Sequence, residues 1–480
     1  FKRFENTWAP EDARVSNLKI VTNKDSAQRV NLLLTGDVDA TNIDTHQIEM
    51  LEEKGYTTHF RVGDDAFVMQ LNWERIPDVA ARQAIESSID RALILEGIHK
   101  GVSEAGGQVQ TMGDPAYNSN VSPDPDIERA IQLAADSGLK GSTLQLMTAG
   151  VPNLEAYAQA IQPMLEQLGV TVEITLVEWG QLNPEWATGN YDLSLIYFTG
   201  NSDLALSYDA LLGADSALNP AGTAPDGIDA LIAATFSETD PAARTQQFSD
   251  LAAAVDEAAV VGVLVHPVQP IVTAPGIVIN ADRLRLFGGF NLRGIHRDGD
   301  APAAPVVAEV EAAPAVEYEA PSEDSSIGYA WSIPLKSLDP HATPSNFDPI
   351  YIGLAYDTLI VREFDGTFSP MLATSWEFVE PDVLELKLRE GVTFHGGRAF
   401  DAEAVVLNFE RVTTGETSTR GGPLAAAIAS VEAVDSMTVR MTLGDGPGVV
   451  FGALSSMGGM MINPDAFDTD LSVTADGTGP

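Results

Sequence analysis

Apolar residues recur along the chain with two spacings, one typical of helices and one typical of strands. Residues three and four positions apart line one face of a helix, whereas every second residue lines one face of a strand. Helical spacing predicts helices over five segments: Ala27–Leu34, Pro77–Gly97, Asn153–Leu168, Pro241–Ala258 and Asp401–Val412. Alternating or continuously apolar runs predict strands over five others: Leu18–Val21, Val170–Val177, Tyr191–Phe198, Leu384–Leu388 and Met437–Leu443.

Glycines and polar residues indicate where some of these helices begin and end. Gly36 follows the first helix and suits the left-handed position at a helix C-terminus. Ile85, Ile89 and Leu93 share one face of the second helix, which is predicted to be continuous, and Asn153 is a candidate N-cap of the third. Because helices alternate with strands before residue 297, we predict an α/β fold with a largely parallel sheet covered on both faces. The later part of the chain is richer in strands.

One segment differs in composition from the rest of the chain. Asp298–Ser326 is rich in Pro, Ala and Glu and has no periodic apolar face. Such a sequence behaves as an extended spacer. We therefore predict a linker over 298–326 between a first part, 1–297, and a second part, 327–480, with no internal repeat relating the two.

The chain of 480 residues and 51.0 kDa is strongly acidic. At roughly 100–200 residues per domain, its length predicts about two to four domains. The 27 Lys and Arg residues against 69 Asp and Glu residues give a net charge of -42, which repels nucleic-acid phosphates and anionic lipids and excludes binding to either. The absence of cysteine excludes disulfides and thiolate metal sites. No apolar run approaches the roughly 18 residues of a membrane span.

The residue patterns that carry most enzyme chemistry are not found in this sequence. Its seven histidines never stand at HxxH or HExxH spacing, and no GxSxG elbow or Walker A loop occurs. Asp468–Asp470 resembles half of a calcium loop but lacks the glycine and the closing glutamate that such a loop needs. We therefore predict no catalytic residues, no metal site and no cofactor.

Aromatic and polar side chains follow several of the apolar strand segments. The candidates of this kind are Trp179, Phe198, Asn201, Asp203, Asn72 and Trp73. In open α/β sheets ligands bind beyond the carboxyl ends of the strands, and small-molecule sites combine aromatic walls with a few polar groups. These positions therefore indicate a small-molecule site, with packing in the core as the alternative for Trp179 and Phe198.

Several motifs occur in the order found in a known family. In the second part they are Ser337–His341 (SLDPH), Tyr356–Leu359 (YDTL), Pro370–Trp376 (PMLATSW), Leu388–His395 (LREGVTFH) and Phe400–Val405 (FDAEAV). They resemble the N-terminal part of the family 5 solute-binding proteins of ABC importers, which bind oligopeptides, dipeptides or nickel. In the first part, Leu34–Asp39, Val79–Asp90 and Leu168–Val172 resemble the rest of that family. The resemblance covers everything outside the linker.

The two parts stand in the reverse of the family's order. The closing Gly477–Pro480 (GTGP) resembles a motif from the middle of the family's sequences, and its usual continuation, an aromatic residue followed by Lys, stands here at Phe1-Lys2. The chain therefore resembles a circular permutant, or a window across a tandem pair of binding proteins. The resemblance implies this division: part of lobe I in 1–65, lobe II in 66–268, a return to lobe I in 269–297, and the rest of lobe I with an extra subdomain in 327–480.

The resemblance implies a two-lobed periplasmic-binding-protein fold of type II, with mixed sheets flanked by helices. Such a receptor closes on a solute and delivers it to the membrane subunits of an ABC permease. The implied ligand is a short peptide, with an opine, an oligosaccharide or a metal chelate as alternatives. A ligand sensor or scaffold without transport is the alternative function, and no enzyme activity is expected. We expect a monomer that is periplasmic or extracellular, with or without a lipid anchor.

The resemblance also implies which residues contact the ligand. In the family's peptide binders a Trp lines the pocket at the position of Trp179, and an aromatic residue stands at that of Phe198. Asn201 stands where those proteins have an Asp that pairs with the peptide's α-ammonium group. Because Asn carries no charge, Asp203 is the candidate substitute for that contact.

Three further candidates for the ligand site lie on other segments. Asn72 and Trp73 are expected near the crossover between the lobes, and Trp331 is expected after the first strand of the other lobe. For all three, the alternative is packing in the protein core.

Overall fold

A computed structural model describes most of the chain. The described residues are 1–60, 63–178, 181–214, 216, 218–219, 227–279, 285–286, 289–290, 292–298, 325–363, 366–415, 418–469 and 471. Trp179 and almost all of the predicted linker, 298–326, lie outside these residues.

The chain divides into two compact units. Unit 1 comprises Phe1–Arg61, Gln269–Gly444 and Phe451–Pro480, and unit 2 comprises Val62–Val268 and Asp445–Val450. The short segment Asp445–Val450 was assigned to the other lobe in the sequence-based division. It packs closely with unit 2, since a Cβ atom on Gly448 would lie 2.4 Å from the carbonyl oxygen of Glu238.

The first stretch of unit 1 is a short run of strands and helices. Its elements are β1 (Asn17–Thr22), α1 (Ser26–Thr35), β2 (Ala40–Asn42), α2 (Ile48–Glu52) and β3 (Thr57–His59). Helix α1 begins where the side chain of Asp25 accepts a hydrogen bond from the Gln28 N–H group, and it ends at Gly36 with a φ of 78°. The predicted strand and helix in this stretch are confirmed.

Unit 2 is formed almost entirely by one continuous segment. Its elements are β4 (Ala66–Leu71), α3 (Val79–Ser87), α4 (Arg91–His99), β5 (Glu104–Ala105), α5 (Ile127–Asp136), β6 (Thr143–Ala149), α6 (Pro152–Glu166), β7 (Thr171–Val177), α7 (Leu182–Trp186), β8 (Leu193–Phe198), α8 (Leu204–Leu212), α9 (Ile228–Ser237), α10 (Pro241–Ala258) and β9 (Val261–His266). The strands form a six-stranded sheet within the described residues, in the order β5-β9-β4-β8-β6-β7.

The expectation of a largely parallel sheet in this region is wrong. Strand β6 pairs in parallel with β7 and β8, but β4 pairs antiparallel with both β8 and β9. Helix α6 connects β6 to its parallel neighbour β7, as a parallel pair requires. The alternation of helices and strands alone did not reveal that β4 and the short strand β5 run in the opposite direction to the other four strands.

Two helix predictions in unit 2 need correction. The segment Pro77–Gly97 forms two helices, α3 and α4, because the side chain of Asp90 accepts a hydrogen bond from Leu93 N–H and so caps a second helix. The break turns Leu93 away from the shared face, and this residue is 61% exposed. Helix α6 begins at Pro152 with Val151 as its N-cap, so Asn153 is not the cap.

The remaining strands and helices belong to unit 1, apart from the start of the last helix. They are β10 (Ile271–Thr273), β11 (Ile277–Val278), β12 (Arg285–Leu286), β13 (Gly289–Phe290), β14 (His296–Arg297), β15 (Ser326–Trp331), α11 (Pro349–Ile352), β16 (Ile360–Arg362), β17 (Phe368–Pro370), β18 (Ala373–Glu380), β19 (Val383–Leu388), α12 (Ala402–Thr414), α13 (Gly422–Ala427), β20 (Ile428–Asp435), β21 (Thr438–Leu443) and α14 (Val450–Leu454).

The main sheet of unit 1 combines strands from both sides of the predicted linker. Its order within the described residues is β1-β15-β2-β10-β3. Strand β15 pairs in parallel with β1 on one side and with β2 on the other, whereas β10 is antiparallel to β2 and β3. Ile327 and Tyr329 of β15 are fully buried in a core cluster with Leu18 of β1 and Ala40 of β2. Residues before and after the linker therefore share one core.

A second sheet of unit 1 contains the strands predicted near the end of the chain. It is antiparallel with the order β18-β19-β21-β20, and α12 packs against it. Val439 and Met441 are buried and Leu443 nearly so, which confirms the alternating pattern of that segment. Across the part of the chain that the structure describes, we find no helix with the length and apolar character needed to cross a membrane.

Candidate ligand-binding site

The carboxyl ends of three strands meet at one edge of the six-stranded sheet. Ala149 of β6 pairs with Val177 of β7, and the parallel neighbour β8 ends at Phe198. The chain enters unit 2 just before β4 and leaves it just after β9, and the antiparallel register places both points at this edge. We call it the crossover edge. Strand ends of this kind are the usual ligand sites of α/β sheets.

Phe198 lies within the sheet at the crossover edge. It pairs with Ala66 of β4 and is only 5% exposed. This degree of burial is that of a core side chain, so the structure favours the packing alternative for Phe198. Trp179, two residues after β7, lies outside the described residues, and its ligand role stays a prediction.

The loop after Phe198 is held tightly against the start of β4. A Cβ atom on Gly200 would lie 2.4 Å from the Cβ atom of Asp64, so this approach requires glycine. Asn201 is half-buried, and its backbone N–H donates to the Ser207 hydroxyl at 2.9 Å. Its side-chain amide donates to the Leu206 carbonyl oxygen at 3.3 Å. The loop is thus a fixed part of the crossover edge.

The carboxylate of Asp203 is engaged in an ion pair. Its two oxygens accept hydrogen bonds from the Arg244 guanidinium at 2.6 and 2.8 Å, and one oxygen also accepts from Ala205 N–H at the start of α8. Asp203 is 3% exposed. A ligand ammonium would have to displace Arg244 to reach it. A binding role for Asp203 stays a prediction, and the observed contacts are those of a structural pair.

Two side chains at the crossover edge were not singled out from the sequence. The Tyr197 hydroxyl donates to the Asp65 carboxylate at 2.7 Å, and His266 is buried between two carbonyl oxygens, those of Asp65 at 3.2 Å and Gln108 at 3.0 Å. Burial lowers the pKa of His266, and the charge of Glu104 opposes this. A neutral imidazole donates from one nitrogen only, so one of these two contacts lacks a donor.

Asn72 and Trp73 lie at the opposite edge of the same sheet, so the expectation that they are near the crossover is wrong. Leu71 pairs with Leu193, at the far end of β8 from Phe198. Because β4 and β8 are antiparallel, the six-residue strand separates Asn72 from the crossover edge by about 17–20 Å. The carboxyl ends of β4 and β8 therefore cannot contribute to one site.

The side chain of Asn72 stabilises the turn that follows β4. Its Nδ2 group donates to the carbonyl oxygens of Gly189 and Tyr191, both at 3.1 Å, and its Oδ1 atom accepts from Glu74 N–H at 3.2 Å. All of its strong hydrogen-bonding groups are thus used within unit 2. These contacts favour the structural alternative for Asn72.

Trp331 lies at the carboxyl edge of the parallel strands of unit 1. It pairs with Thr22 of β1, and its ring lies 6.1 Å from that of Tyr329. Trp331 is 2% exposed, and its indole nitrogen has no hydrogen-bond partner within the described part of the chain. Asn42, at the end of β2, also has a buried and unpartnered side-chain oxygen, while its Nδ2 group donates to the Ser332 hydroxyl at 3.2 Å. Such atoms are uncommon in folded proteins and call for an explanation.

Arg29 of α1 holds the strand ends of this edge together. Its guanidinium donates to the carbonyl oxygens of Asn42 at 3.2 Å, Asn23 at 2.9 Å and Lys24 at 3.0 Å. Burial lowers the pKa of Arg29, with the charge of Asp44 acting in the opposite direction. An arginine on the apolar face of an amphipathic helix is a sequence sign that its side chain holds neighbouring strands together. The sequence-based prediction did not include this residue.

Metal binding has no support among the described residues. No group of three or more His, Asp or Glu side chains within those ranges could hold a metal ion. The two strand-end edges offer hydrogen-bonding and aromatic groups instead, which suit the capture of an organic solute.

Comparison with known proteins gives consistent relatives. The chain is 26% identical over 234 residues to the di/tripeptide-binding protein 3 of Pseudomonas aeruginosa, covering 45% of this chain and 43% of that protein. It is 32% identical over 130 residues to the nickel-binding periplasmic protein of Escherichia coli, covering 27% and 24%. The chain thus spans less than half the length of these curated relatives.

A solved structure shows the same fold. AppA from Clostridium difficile matches with a TM-score of 0.52 and 15% sequence identity, over 57% of this chain and 60% of that one. The sequence also matches the family described as bacterial extracellular solute-binding proteins, family 5 Middle, over residues 1–217 and 367–480. That family consists of binding proteins and not of enzymes. Because the match covers more than half of the chain, this chain belongs to the family 5 solute-binding proteins.

Proposed function

We propose that the chain is the substrate-binding receptor of an ABC importer, in which units 1 and 2 are the two lobes that capture a small solute. Family membership supports this role most directly. The observation that carries it is the presence, in each unit, of a polar edge at the carboxyl ends of parallel strands. The proposed partners are the membrane subunits of a permease.

The proposed ligand is a short peptide. A relative from Pseudomonas aeruginosa is named a di/tripeptide-binding protein, and another, from Pectobacterium atrosepticum, is named a glutathione-binding protein. In unit 1 the unpartnered Trp331 indole N–H and Asn42 oxygen would complement a peptide's carbonyl and amide groups. In unit 2 the proposed contacts are Trp179, Asn201 and Asp203. Asp203 would release Arg244 and bind the ligand's ammonium group instead.

The proposal also includes the reversed order in which the two parts of the family's sequence stand in this chain. Strands from both sides of the predicted linker share one sheet, which supports a single receptor made from one chain. A circular permutant and a window on a tandem protein both remain compatible with that arrangement. We expect a monomer that acts outside the cytoplasm, as the family description implies.

Titration calorimetry with defined di- and tripeptides tests the function. We expect saturable one-to-one binding, and Trp179→Ala should weaken it by more than about 1 kcal/mol while the melting temperature changes little. Trp376→Ala is the matched control, since this half-buried Trp of β18 lies in the second sheet of unit 1, where it packs against Phe451.

Three outcomes would contradict parts of the proposal. Binding of an opine, an oligosaccharide or a metal chelate with no binding of peptides would replace the ligand class. Equal losses of peptide affinity in Trp179→Ala and Trp376→Ala would show that Trp179 does not contact the ligand. Solute binding without uptake in permease-containing vesicles would favour a sensor or scaffold.

A further inference from the structure

Unit 1 contains a cavity that the proposed solute site does not use. Its volume is about 180 Å³, and it lies between the first residues of the chain and the segments around Arg293, Asp357 and His395. An apolar cavity of about 150 Å³ is large enough to hold benzene. The cavity therefore has room for one small organic molecule.

The cavity is distant from the strand-end edge of unit 1. Val15 and Leu18, at the amino end of β1, contribute to its wall. The edge with Trp331 lies at the carboxyl end of the same strand, opposite Thr22. Four residues of strand separate the two places by about 13 Å. A ligand in the cavity would thus not contact the Trp331 and Asn42 side chains.

The wall of the cavity has an apolar and aromatic part beside a polar one. Phe4, Trp8, Leu292, Phe394 and Met461 are among the residues that line it. The ring of Phe4 lies 4.5 Å from that of His395. These side chains would accommodate a flat or compact apolar body through dispersion and exclusion of water.

Basic residues outnumber acidic residues in the cavity lining, whereas acidic residues outnumber basic ones in the whole chain. Four basic residues, Lys2, Arg3, Arg14 and Arg293, line it together with two acidic ones, Asp12 and Asp357. The chain as a whole has 27 Lys and Arg residues against 69 Asp and Glu residues. A local excess of cations in so acidic a protein favours an anionic ligand.

Most of these charges are already paired. Asp357 accepts from Trp8 Nε1 at 2.8 Å and is bound by Arg293 at 2.5 Å. Arg14 lies 3.1 Å from Nε2 of His296, and Arg14 and Asp12 have further interactions. These pairs account for two of the four cations and both of the anions.

The two remaining cations are Lys2, which is exposed, and Arg3, which is half-buried. The backbone N–H of Arg3 donates to the Ser16 carbonyl oxygen at 2.9 Å, which fixes the residue in front of β1. Its side-chain Nε atom is buried and has no hydrogen-bond partner within the described residues. That atom is out of reach of a ligand, but Arg3 lines the cavity and takes part in no ion pair among the described residues. A carboxylate in the cavity would supply the missing partner for its charge.

We propose that this cavity binds a small monocarboxylate with an apolar body of about the size of a benzene ring. The carboxylate pairs with the guanidinium group of Arg3, and the apolar body packs against the aromatic side chains of the wall. An inorganic anion would pair with Arg3 but leave the apolar wall uncovered. A neutral aromatic molecule would cover the wall but leave Arg3 unpaired.

Titration calorimetry of the full chain with benzoate tests this site. Benzyl alcohol has nearly the same shape without the charge, and acetate has the charge without the ring. We expect benzoate to bind at least about tenfold more tightly than either compound. Benzyl alcohol lacks the charge-assisted hydrogen bond, and acetate lacks the ring that buries apolar surface. Arg3→Gln should weaken benzoate binding about tenfold and leave benzyl alcohol unchanged. The matched control is Arg129→Gln, a change to an arginine of α5 in unit 2 whose partner is Gln83 at 3.4 Å.

A second variant keeps the proposal testable if Arg3→Gln does not fold. Ala355→Leu keeps Arg3 and places a larger side chain in the cavity wall, so it should abolish benzoate binding. The proposal is overturned if benzoate shows no saturable binding up to about 10 mM. It is also overturned if the affinity for benzoate survives the variant that folds. Displacement of benzoate by a bound dipeptide would place it in the solute site instead.

Discussion

The main sheets of the two units are built in different ways. The sheet of unit 2 comes from one continuous segment, from β4 to β9. The sheet of unit 1 takes β1, β2, β3 and β10 from one side of the predicted linker and β15 from the other. Since β15 lies between β1 and β2, the fold of unit 1 depends on both ends of the chain, whereas that of unit 2 depends mostly on local sequence.

The site candidates differ in how their polar groups are satisfied. In unit 2, Asp203 is paired with Arg244 and Asn72 is fully hydrogen-bonded, but the indole nitrogen of the neighbouring Trp73 is buried without a partner among the described residues. In unit 1, the Trp331 indole nitrogen and the Asn42 oxygen are buried without partners in the same way. Groups with partners stabilise the fold, and groups without them are better placed to serve a ligand. Mutations at the two kinds of position should separate these roles.

The largest effect is expected from a charge buried in the core of either sheet. Ile327 of β15 and Val68 of β4 are both fully buried, so each substitution by Asp should cost more than about 4 kcal/mol. Ile327→Asp should abolish the unfolding transition of unit 1 only, and Val68→Asp that of unit 2 only. Differential scanning calorimetry would resolve the two transitions. Loss of both transitions in either variant would show that the units do not unfold separately.

The next largest effect is expected from breaking the buried ion pair of unit 2. Asp203→Ala leaves Arg244 uncompensated and should lower the free energy of unfolding by about 3–5 kcal/mol. The double variant Asp203→Leu with Arg244→Met should recover most of this loss, because neither charge then remains. Urea denaturation of unit 2 measures both. A loss below about 1 kcal/mol in Asp203→Ala would mean that the carboxylate is free for a ligand.

Asn72→Ala should have an intermediate effect on stability and none on ligand affinity. It leaves the Gly189 and Tyr191 carbonyl oxygens without their donor, which costs about 1–3 kcal/mol. Urea denaturation and peptide titration of the same variant give the two quantities. Weaker peptide binding by a folded Asn72→Ala protein would contradict the assignment of Asn72 to the turn.

The pH dependence of stability should be similar in the two units. Burial lowers the pKa of His99 in unit 2 and of His341 in unit 1 to about 4, from an ordinary value of 6.5. The unfolded chain therefore takes up these protons first, so stability is full above pH 6.5 and is lost as the pH falls towards 4. The slope for one such histidine is about 1.4 kcal/mol per pH unit.

A single variant tests the origin of that slope. His99→Gln keeps a polar group near the Tyr157 hydroxyl, which lies 2.5 Å from the imidazole in the native protein. Between pH 4 and 7 the stability of unit 2 should then depend less steeply on pH, with the buried His266 still contributing, while the slope for unit 1 should not change. An unchanged slope in unit 2 would assign the effect to other groups.

The smallest effect on stability is expected at Trp331. Trp331→Phe keeps an aromatic ring and removes an indole N–H that has no partner, but it leaves a small cavity in the core, so the free energy of unfolding should fall by about 1 kcal/mol. Peptide affinity should fall by about tenfold if that N–H donates to the ligand. Trp376 of β18 is the control, since Trp376→Phe changes a Trp of the second sheet of unit 1 and should leave the affinity unchanged.

Local sequence patterns predicted several of the longer helices and strands but not how the strands are arranged. The α1 helix, the strand near Leu18 and the alternating strand ending at Leu443 follow directly from apolar spacing. The break between α3 and α4 depends on one side chain, that of Asp90, whose capping role competes with a continuous apolar face. The direction of β4 depends on long-range pairing, which no local pattern specifies.

The candidate site shows the same limit. Asn72 and Phe198 were grouped because each follows an apolar strand, and the antiparallel pairing of β4 with β8 places them at opposite edges. Trp331 does lie at a strand end, as expected, but its unpartnered nitrogen was visible only once its neighbours were in place. Asp203 has a partner, Arg244, that lies 41 residues away in sequence.

Native mass spectrometry tests the central claim most directly, which is that this single chain forms one working receptor. The chain would be purified without refolding and sprayed with an equimolar mixture of di- and tripeptides. We predict a compact monomer that carries the mass of one peptide. A bare monomer with an extended charge distribution would contradict the claim that both ends of the chain build unit 1. A compact monomer that carries no peptide at any concentration would contradict its function as a peptide receptor.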